Sequence, residues 1–280
     1  MIKSCVIGDP VEHSLSPRLH GYWLRRYGIK GDYQKRAVAP ADLSHVLQSL
    51  PSEGFAGCNL TIPHKTAALP HMHDLSPRAS AIGAVNTVVV MNDGGLLGDN
   101  TDAYGYISGL THQVPNWRTS VKHAAVIGAG GAARAIVYGL MDENVPTIDI
   151  FNRTQENAAH IASDLSAVKS DSKLSAYDFN HLADTIAHYD LIINTTPLGM
   201  SGHAPLPLEL SNCKDSAVIS DIVYNPRMTP LLTDAKARGL QIAEGIHMLI
   251  YQGVPGFEYW YSQHPTVDED IIRHMQEGLK

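Results

Sequence analysis

The chain has 280 residues, 44% of them hydrophobic and 18% charged, with a formal net charge of −7. That length suits two domains with real cores, and the acidic balance argues against a nucleic-acid partner, whose phosphates need a basic surface. Cys5, Cys58 and Cys213 are far apart and form no disulfide framework, which points to a reducing cytoplasm, and no run of about 18 apolar residues marks a membrane span.

The first predicted element is a strand over 4–8, an apolar run that ends at Gly8-Asp9-Pro10. No long apolar stretch with a small-residue cleavage site precedes it, so it does not read as a signal peptide. A helix is expected over 17–27, with Ser16 as N-cap and Pro17 at the first helical position. A strand over 33–38, a helix over 42–50 and a strand over 57–62 follow, the last stopped by Pro63. The β-branched run 84–91 ends at Asn92-Asp93-Gly94-Gly95, a hairpin turn, and Leu96 and Leu97 begin the return strand. A helix over 103–110 leads into the polar stretch 111–122, which contains Pro115 and reads as a linker.

Beyond it the alternation is regular. Strands are predicted at 123–127, 147–151, 190–194, 216–221 and 241–243, and helices at 132–141, 156–165 and 230–238. A helical tail begins at Gly245. Alternating β and α elements predict a parallel sheet with helices on both faces. No internal repeat or low-complexity tract interrupts it. The fifteen histidines are scattered. His71 and His73 have no cysteine near them to complete a tetrahedral set, so they read as surface or helix-end residues and no metal is expected.

Gly128-Ala129-Gly130-Gly131-Ala132-Ala133 lies between an apolar strand and an alanine-rich helix. That context lifts a weak glycine pattern to a dinucleotide loop. Glycines let the backbone approach a pyrophosphate, and the helix N-terminus supplies unpaired N–H groups and a favourable dipole. An NAD site usually places an acid at the end of the next strand. Here that strand runs into Asn152-Arg153-Thr154, a guanidinium and a hydroxyl suited to a 2′-phosphate, which favours NADP.

Three polar motifs mark the first half: His13-Ser14-Leu15-Ser16-Pro17; Asn59-Leu60-Thr61-Ile62-Pro63-His64-Lys65; and Gly83-Ala84-Val85-Asn86-Thr87 with Gly98-Asp99-Asn100-Thr101-Asp102. Each has a structural explanation alone, such as an N-cap, a surface lysine or an Asx turn. Together, hydroxyls, an amide, a cation and a carboxylate suit a small polyhydroxylated anion.

These motifs resemble the shikimate dehydrogenase family. The resemblance runs on through 128–135, Asn152-Arg153-Thr154, Asn194-Thr195-Thr196-Pro197-Leu198-Gly199-Met200, and Gly245-Ile246-His247-Met248-Leu249 with Gln252-Gly253. It implies an α/β fold with an N-terminal substrate domain (1–104), a Rossmann-type, doubly wound NADP-binding domain (105–244) and C-terminal helices (245–280) that pack back on the first domain. It implies reversible, NADPH-linked reduction of 3-dehydroshikimate to shikimate in aromatic amino-acid (chorismate) biosynthesis. By the same resemblance, Ser14 and Ser16 hold the substrate carboxylate with help from Tyr224. Thr61, Asn86 and Gln252 bind the ring hydroxyls, and Lys65 and Asp102 form the catalytic pair. Gly128, Ala129, Gly130, Gly131 and Ala132 cradle the pyrophosphate, and Asn152, Arg153 and Thr154 the 2′-phosphate. Ile222, Gly245 and Met248 line the nicotinamide.

The residues leave two versions of the lysine's role open. Lys65 can accept a proton only if its pKa falls towards neutrality, whereas a neighbouring Asp102 favours the ammonium, which would polarise the oxygen or donate a proton in reduction. Some positions depart from the family pattern: Gly21 replaces a common asparagine, Pro77 stands where an acid is frequent, and Gln155-Glu156-Asn157 lacks a second basic residue. One arginine with Glu156 nearby implies a looser NADP preference than the family norm. The rival readings are a quinate/shikimate dehydrogenase using NAD, which Ser16 and the missing strand-end acid oppose, and a non-catalytic NADP sensor, which Lys65 and Asp102 oppose. A homodimer is compatible with the sequence, though no motif marks one.

Overall fold

A computed structural model describes residues 1–169 and 171–279. The chain divides into two compact units, one formed by Met1–Asp102 with Leu249–Gly278 and one by Ala103–Met248.

In chain order the first unit contains β1 (Ile2–Gly8), α1 (Ser16–Arg26), β2 (Gly31–Ala37), α2 (Leu43–Ser49), β3 (Phe55–Leu60), α3 (His64–Ala67), β4 (Asp74–Leu75), α4 (Pro77–Ile82), β5 (Thr87–Val90) and β6 (Leu96–Asp99). Its six strands form one sheet in the order β2-β1-β3-β5-β6-β4. β1 is parallel to β2 and β3, while β3, β5 and β6 run antiparallel in turn. The register sets Asn59 beside Thr87 and Thr87 beside Asp99, so polar residues gather where these three strands end or begin. One sheet face buries Cys5, Ile7, Cys58 and Val88 with Leu43 and Leu47 of α2 and Ala79 of α4. Trp23 of α1 meets Phe257 on the other side.

The second unit begins with α5 (Asp102–Gln113), entered at Ala103, and α6 (Trp117–Ser120). The second unit then builds β7 (His123–Ile127), α7 (Gly131–Asp142), β8 (Thr147–Asn152), α8 (Gln155–Val168), β9 (Lys173–Asp178), α9 (His181–Thr185), β10 (Leu191–Asn194), β11 (Val218–Asp221), α10 (Pro230–Ala237) and β12 (Gln241–Glu244). The strand order is β12-β11-β10-β7-β8-β9, and every pair is parallel. The expected doubly wound sheet is therefore present, with its order reversing beside β7, where such sheets bind ligands at their carboxyl ends. Alternation along the strands makes two cores. Ala124, Val126, Ile148 and Ile150 pack with Ala133, Ile136 and Val137 of α7, whereas Ala125, Ile127 and Ile192 pack with Leu231 and Leu232 of α10.

The chain re-enters the first unit inside α11 (Gly245–Tyr261) and ends with α12 (Glu269–Glu277). The Trp260 indole N–H donates to the Val88 carbonyl at 3.0 Å. A Cβ at Gly57, where φ is +154°, would lie 2.0 Å from that carbonyl and 2.3 Å from the indole nitrogen, so only glycine admits the contact. Tyr261 shares a 2.5 Å hydrogen bond with Ser4 of β1.

Three expectations change. The stretch 111–122 is not a linker: α5 continues to Gln113, and Val114, Trp117 and Val121, at spacings of three and four, are buried in the core on the α7 side of the second sheet. Ser16 is not an N-cap. It is the first helical residue, Leu15 occupies the cap without a side-chain bond, and the Ser14 hydroxyl instead accepts the Ser16 N–H at 3.3 Å. An additional strand, β9, forms at the sheet edge, where Lys-Leu-Ser-Ala-Tyr-Asp is only half buried and carries no apolar run. His71 ends a 3-10 turn, and His73 Nδ1 accepts the Leu96 N–H.

Candidate active site

The polar centre of the first unit is assembled by strand ends. β3 stops at Leu60, and Thr61-Ile62-Pro63 carries the chain into the short α3, where Lys65 sits in the first turn. Two bonds fix that turn: the Val85 N–H donates to the Lys65 carbonyl at 2.8 Å, and the buried His64 ring pairs with the Val38 carbonyl at 2.8 Å. β6 ends at Asp99, and Asp102 opens α5, where the helix dipole favours a carboxylate. Lys65 Nζ donates to Asp102 Oδ2 at 2.5 Å, with the two side chains 20% and 6% exposed.

The other carboxylate oxygen is also held. Asn86 Nδ2 donates to Asp102 Oδ1 at 2.8 Å and to the Thr101 hydroxyl at 3.0 Å, while Asn86 Oδ1 accepts the Thr101 N–H at 2.8 Å. Both amide hydrogens of Asn86 are thus used within the protein. A substrate hydroxyl has to displace one of these bonds or leave Asn86 to its internal task. Gln252, buried on α11, is tied to the same cluster, since its carbonyl accepts the Thr101 hydroxyl at 2.8 Å and its amide donates to Leu249. The cluster rests on Asp99, which is fully buried and receives Arg78 twice, the Ser76 hydroxyl, the Asn100 N–H and the Tyr259 hydroxyl. Burial opposes ionisation of Asp99, but the Arg78 guanidinium and Ser76 outweigh it and hold the carboxyl below its usual range.

Ser14 is half-buried and Ser16 buried at the start of α1. Thr61 lies half-buried against Gly8, where an added Cβ would come within 2.4 Å of its methyl group. Lys65, Asn86, Asp102 and Gln252 are therefore joined through one hydrogen-bond cluster, while Ser14, Ser16 and Thr61 are outside that set of bonds.

In the second unit, Gly128 takes φ +117° and donates its N–H to Phe151 of β8 at 2.7 Å. A Cβ there would meet the Thr195 hydroxyl at 2.4 Å. Gly130 differs, because a Cβ there meets nothing within 4 Å. It is the N-cap of α7 and makes no side-chain capping bond. Open space in front of uncapped N–H groups is what a pyrophosphate requires, so Gly128 to Ala132 fit a dinucleotide. Ala133 is fully buried where the helix starts against the sheet. At the end of β8, Asn152 Nδ2 donates to the Thr154 carbonyl at 2.8 Å and closes the turn, leaving Arg153 and Thr154 exposed, with Glu156 exposed in the first turn of α8.

Ile222, Gly245 and Met248 line one pocket with Tyr106 and Gly109. A Cβ at Gly245 would lie 2.4 Å from the Ile222 carbonyl, so glycine lets β12 turn into α11 beside the exit of β11. Tyr224 is half-buried in the loop after β11. Asp221, at the end of β11, accepts Thr229, Val223 and Asn194 donors, yet burial pushes its carboxyl up to about 6. Sequence reasoning assigned no role to Asp221, Asn59, Thr87 or Thr101. The last three stood in motifs already singled out, but their importance depends on strand register, which no spacing reveals.

A family model described as the shikimate dehydrogenase substrate binding domain matches residues 6–88, and one described as shikimate / quinate 5-dehydrogenase matches 110–201. A shikimate dehydrogenase (NADP(+)) of Jannaschia sp. is 45% identical over 273 residues, covering 98% of this chain and 96% of the relative. The crystal structure of shikimate 5-dehydrogenase from Thermus thermophilus in complex with NADP(H) and shikimate matches with TM-score 0.86 at 32% identity, covering 99% of this chain and 98% of that one. Quinate dehydrogenase from Corynebacterium glutamicum in complex with NAD matches with TM-score 0.88 at 28% identity, over 99% and 98% of the two chains.

Proposed function

The chain belongs to the shikimate dehydrogenase family and is an NADP-linked oxidoreductase acting on a CH–OH group; we propose that it interconverts 3-dehydroshikimate and shikimate at Lys65 and Asp102. The observation that carries this reading is the 2.5 Å Lys65–Asp102 pair, with the second Asp102 oxygen locked by Asn86. NADP(H), when bound, supplies or accepts the hydride. The loop 128–132 would hold its pyrophosphate, Asn152, Arg153 and Thr154 its 2′-phosphate, and Ile222, Gly245 and Met248 its nicotinamide.

The remaining work falls to the first unit's residues. In reduction the Lys65 ammonium, paired with Asp102, donates a proton to the oxygen that forms at the former carbonyl. In oxidation the same nitrogen takes the hydroxyl proton back. Ser14 and Ser16 would hold the carboxylate with Tyr224, and Thr61, Asn86 and Gln252 the ring hydroxyls, fixing which hydroxyl lies against Lys65. The absence of a strand-end acid after β8 supports NADP over NAD. The three free, buried cysteines support a reducing, cytoplasmic setting, and a homodimer belongs to the proposal as a state that sedimentation would detect.

Replacing Lys65 with alanine tests the assignment. Turnover should fall by roughly 10²–10⁴-fold, with little change in the Michaelis constant for shikimate. Near-normal turnover would remove Lys65 from the chemistry.

A further inference from the structure

Resting on the reading above, we infer that Tyr33 is a positioning residue for the Lys65–Asp102 pair, acting through Asn59 and Thr87. Tyr33 is the one side chain of the edge strand β2 that is buried, at 7% exposure. Its ring lies flat on the buried His20 ring, 4.1 Å between centroids and 3° between planes, and Trp260 stands 6.0 Å away. The phenol oxygen is therefore fixed in place by ring packing.

From that oxygen the donors run in one direction. The phenol donates to Asn59 Oδ1 at 2.6 Å. Asn59 Nδ2 donates to the Asn86 carbonyl at 3.2 Å and to the Thr87 hydroxyl at 3.1 Å. Thr87 donates to Asn86 Oδ1 at 3.0 Å, and Asn86 Nδ2 donates to Asp102 Oδ1 at 2.8 Å. Asp102, an acceptor only when ionised, closes the relay against Lys65. Reversing the Asn59 amide would set its oxygen against the Asn86 carbonyl oxygen, so the amide has one workable orientation. Asn59 thereby holds Asn86 twice, by its main chain and through Thr87.

Without the phenol, the oxygen of Asn59, a residue only 5% exposed, is left buried and unpaired. Asn59 then turns to seek a donor and releases Asn86. Burial raises the phenol well above its ordinary pKa, which keeps it protonated and a donor at working pH.

Tyr33→Phe keeps the ring and removes the oxygen. Turnover of shikimate with NADP+ should fall about ten-fold, while the Michaelis constant for NADP+ stays within about two-fold. Thr87→Val cuts the same relay further on, so the double variant should be no slower than the slower single variant, whereas independent damage would multiply. Thr87→Ser, which keeps the hydroxyl, should restore turnover to within about two-fold of wild type. In the ligand-free protein, the side-chain amide resonances of Asn86 should move in Tyr33→Phe. Unmoved resonances with wild-type turnover, or effects that multiply, would overturn the relay. Wild-type protein that cannot oxidise shikimate would overturn the proposed function instead, and the amide resonances would still decide the relay.

Discussion

Alanine at Gly130 and alanine at Gly128 should fail in opposite ways. At Gly130 the backbone has φ −91° and ψ −175°, which any residue adopts, and an added Cβ meets no atom within 4 Å. The variant should fold at least as stably as wild type, gaining about 0.4–1 kcal/mol from a stiffer unfolded chain. The methyl group would occupy the space before the α7 N-terminus. Losing two hydrogen bonds to pyrophosphate, at about 1.5 kcal/mol each, weakens NADPH binding about 100-fold. At Gly128 the backbone has φ +117°, and the Cβ would lie 2.4 Å from the Thr195 hydroxyl, which itself donates to the Ile127 carbonyl. That variant should lose about 2–4 kcal/mol of stability and melt roughly 5–10 °C lower. Thermal melts and NADPH fluorescence titrations separate the two effects. Wild-type NADPH affinity in Gly130→Ala would refute the placement of the pyrophosphate.

Two further predictions concern pH. Burial raises the Asp221 carboxyl to about 6, above its unfolded value, so the stability it contributes is present in acid and is lost as pH rises through 6. Asp221→Asn should flatten that loss, about 2–3 kcal/mol between pH 4 and 6, in urea melts across the range. His20 behaves oppositely, because burial lowers it to about 3 and neither ring nitrogen has a hydrogen-bond partner. Its neutral form is favoured by folding, so stability falls as pH drops below about 6.5. His20→Phe should remove about 2–3 kcal/mol of destabilisation between pH 6.5 and 4.5; an unchanged acid slope would exclude His20 as its source.

The sequence made the second sheet legible because buried parallel strands leave uninterrupted apolar runs such as Ala124-Ala125-Val126-Ile127. β9 left no such run, since this edge strand is only half-buried along its length and carries no apolar stretch to mark it. The polar stretch 111–122 misled for the opposite reason: Val114, Trp117 and Val121 are spaced singly among polar neighbours, and their burial outweighs them. At the site, the residue types were visible, but their connections were not. Nothing in the spacing of Tyr33, Asn59, Thr87 and Asp102 predicts one relay, because it arises where β2, β3, β5 and the start of α5 meet. Ser14 and Ser16 show the same limit, since α1 begins at Ser16 with Leu15 as its cap, a boundary that the spacing of the two serines does not reveal.

The central claim is most directly tested by initial rates of NADPH or NADH formation by the wild-type chain with shikimate or quinate and with NADP+ or NAD+. The account predicts fastest reduction of NADP+ by shikimate, a slower rate when either partner is exchanged, and loss of all four rates in Lys65→Ala. Faster reduction of NAD+ by quinate, or four null rates from folded protein that still binds NADPH, would contradict it.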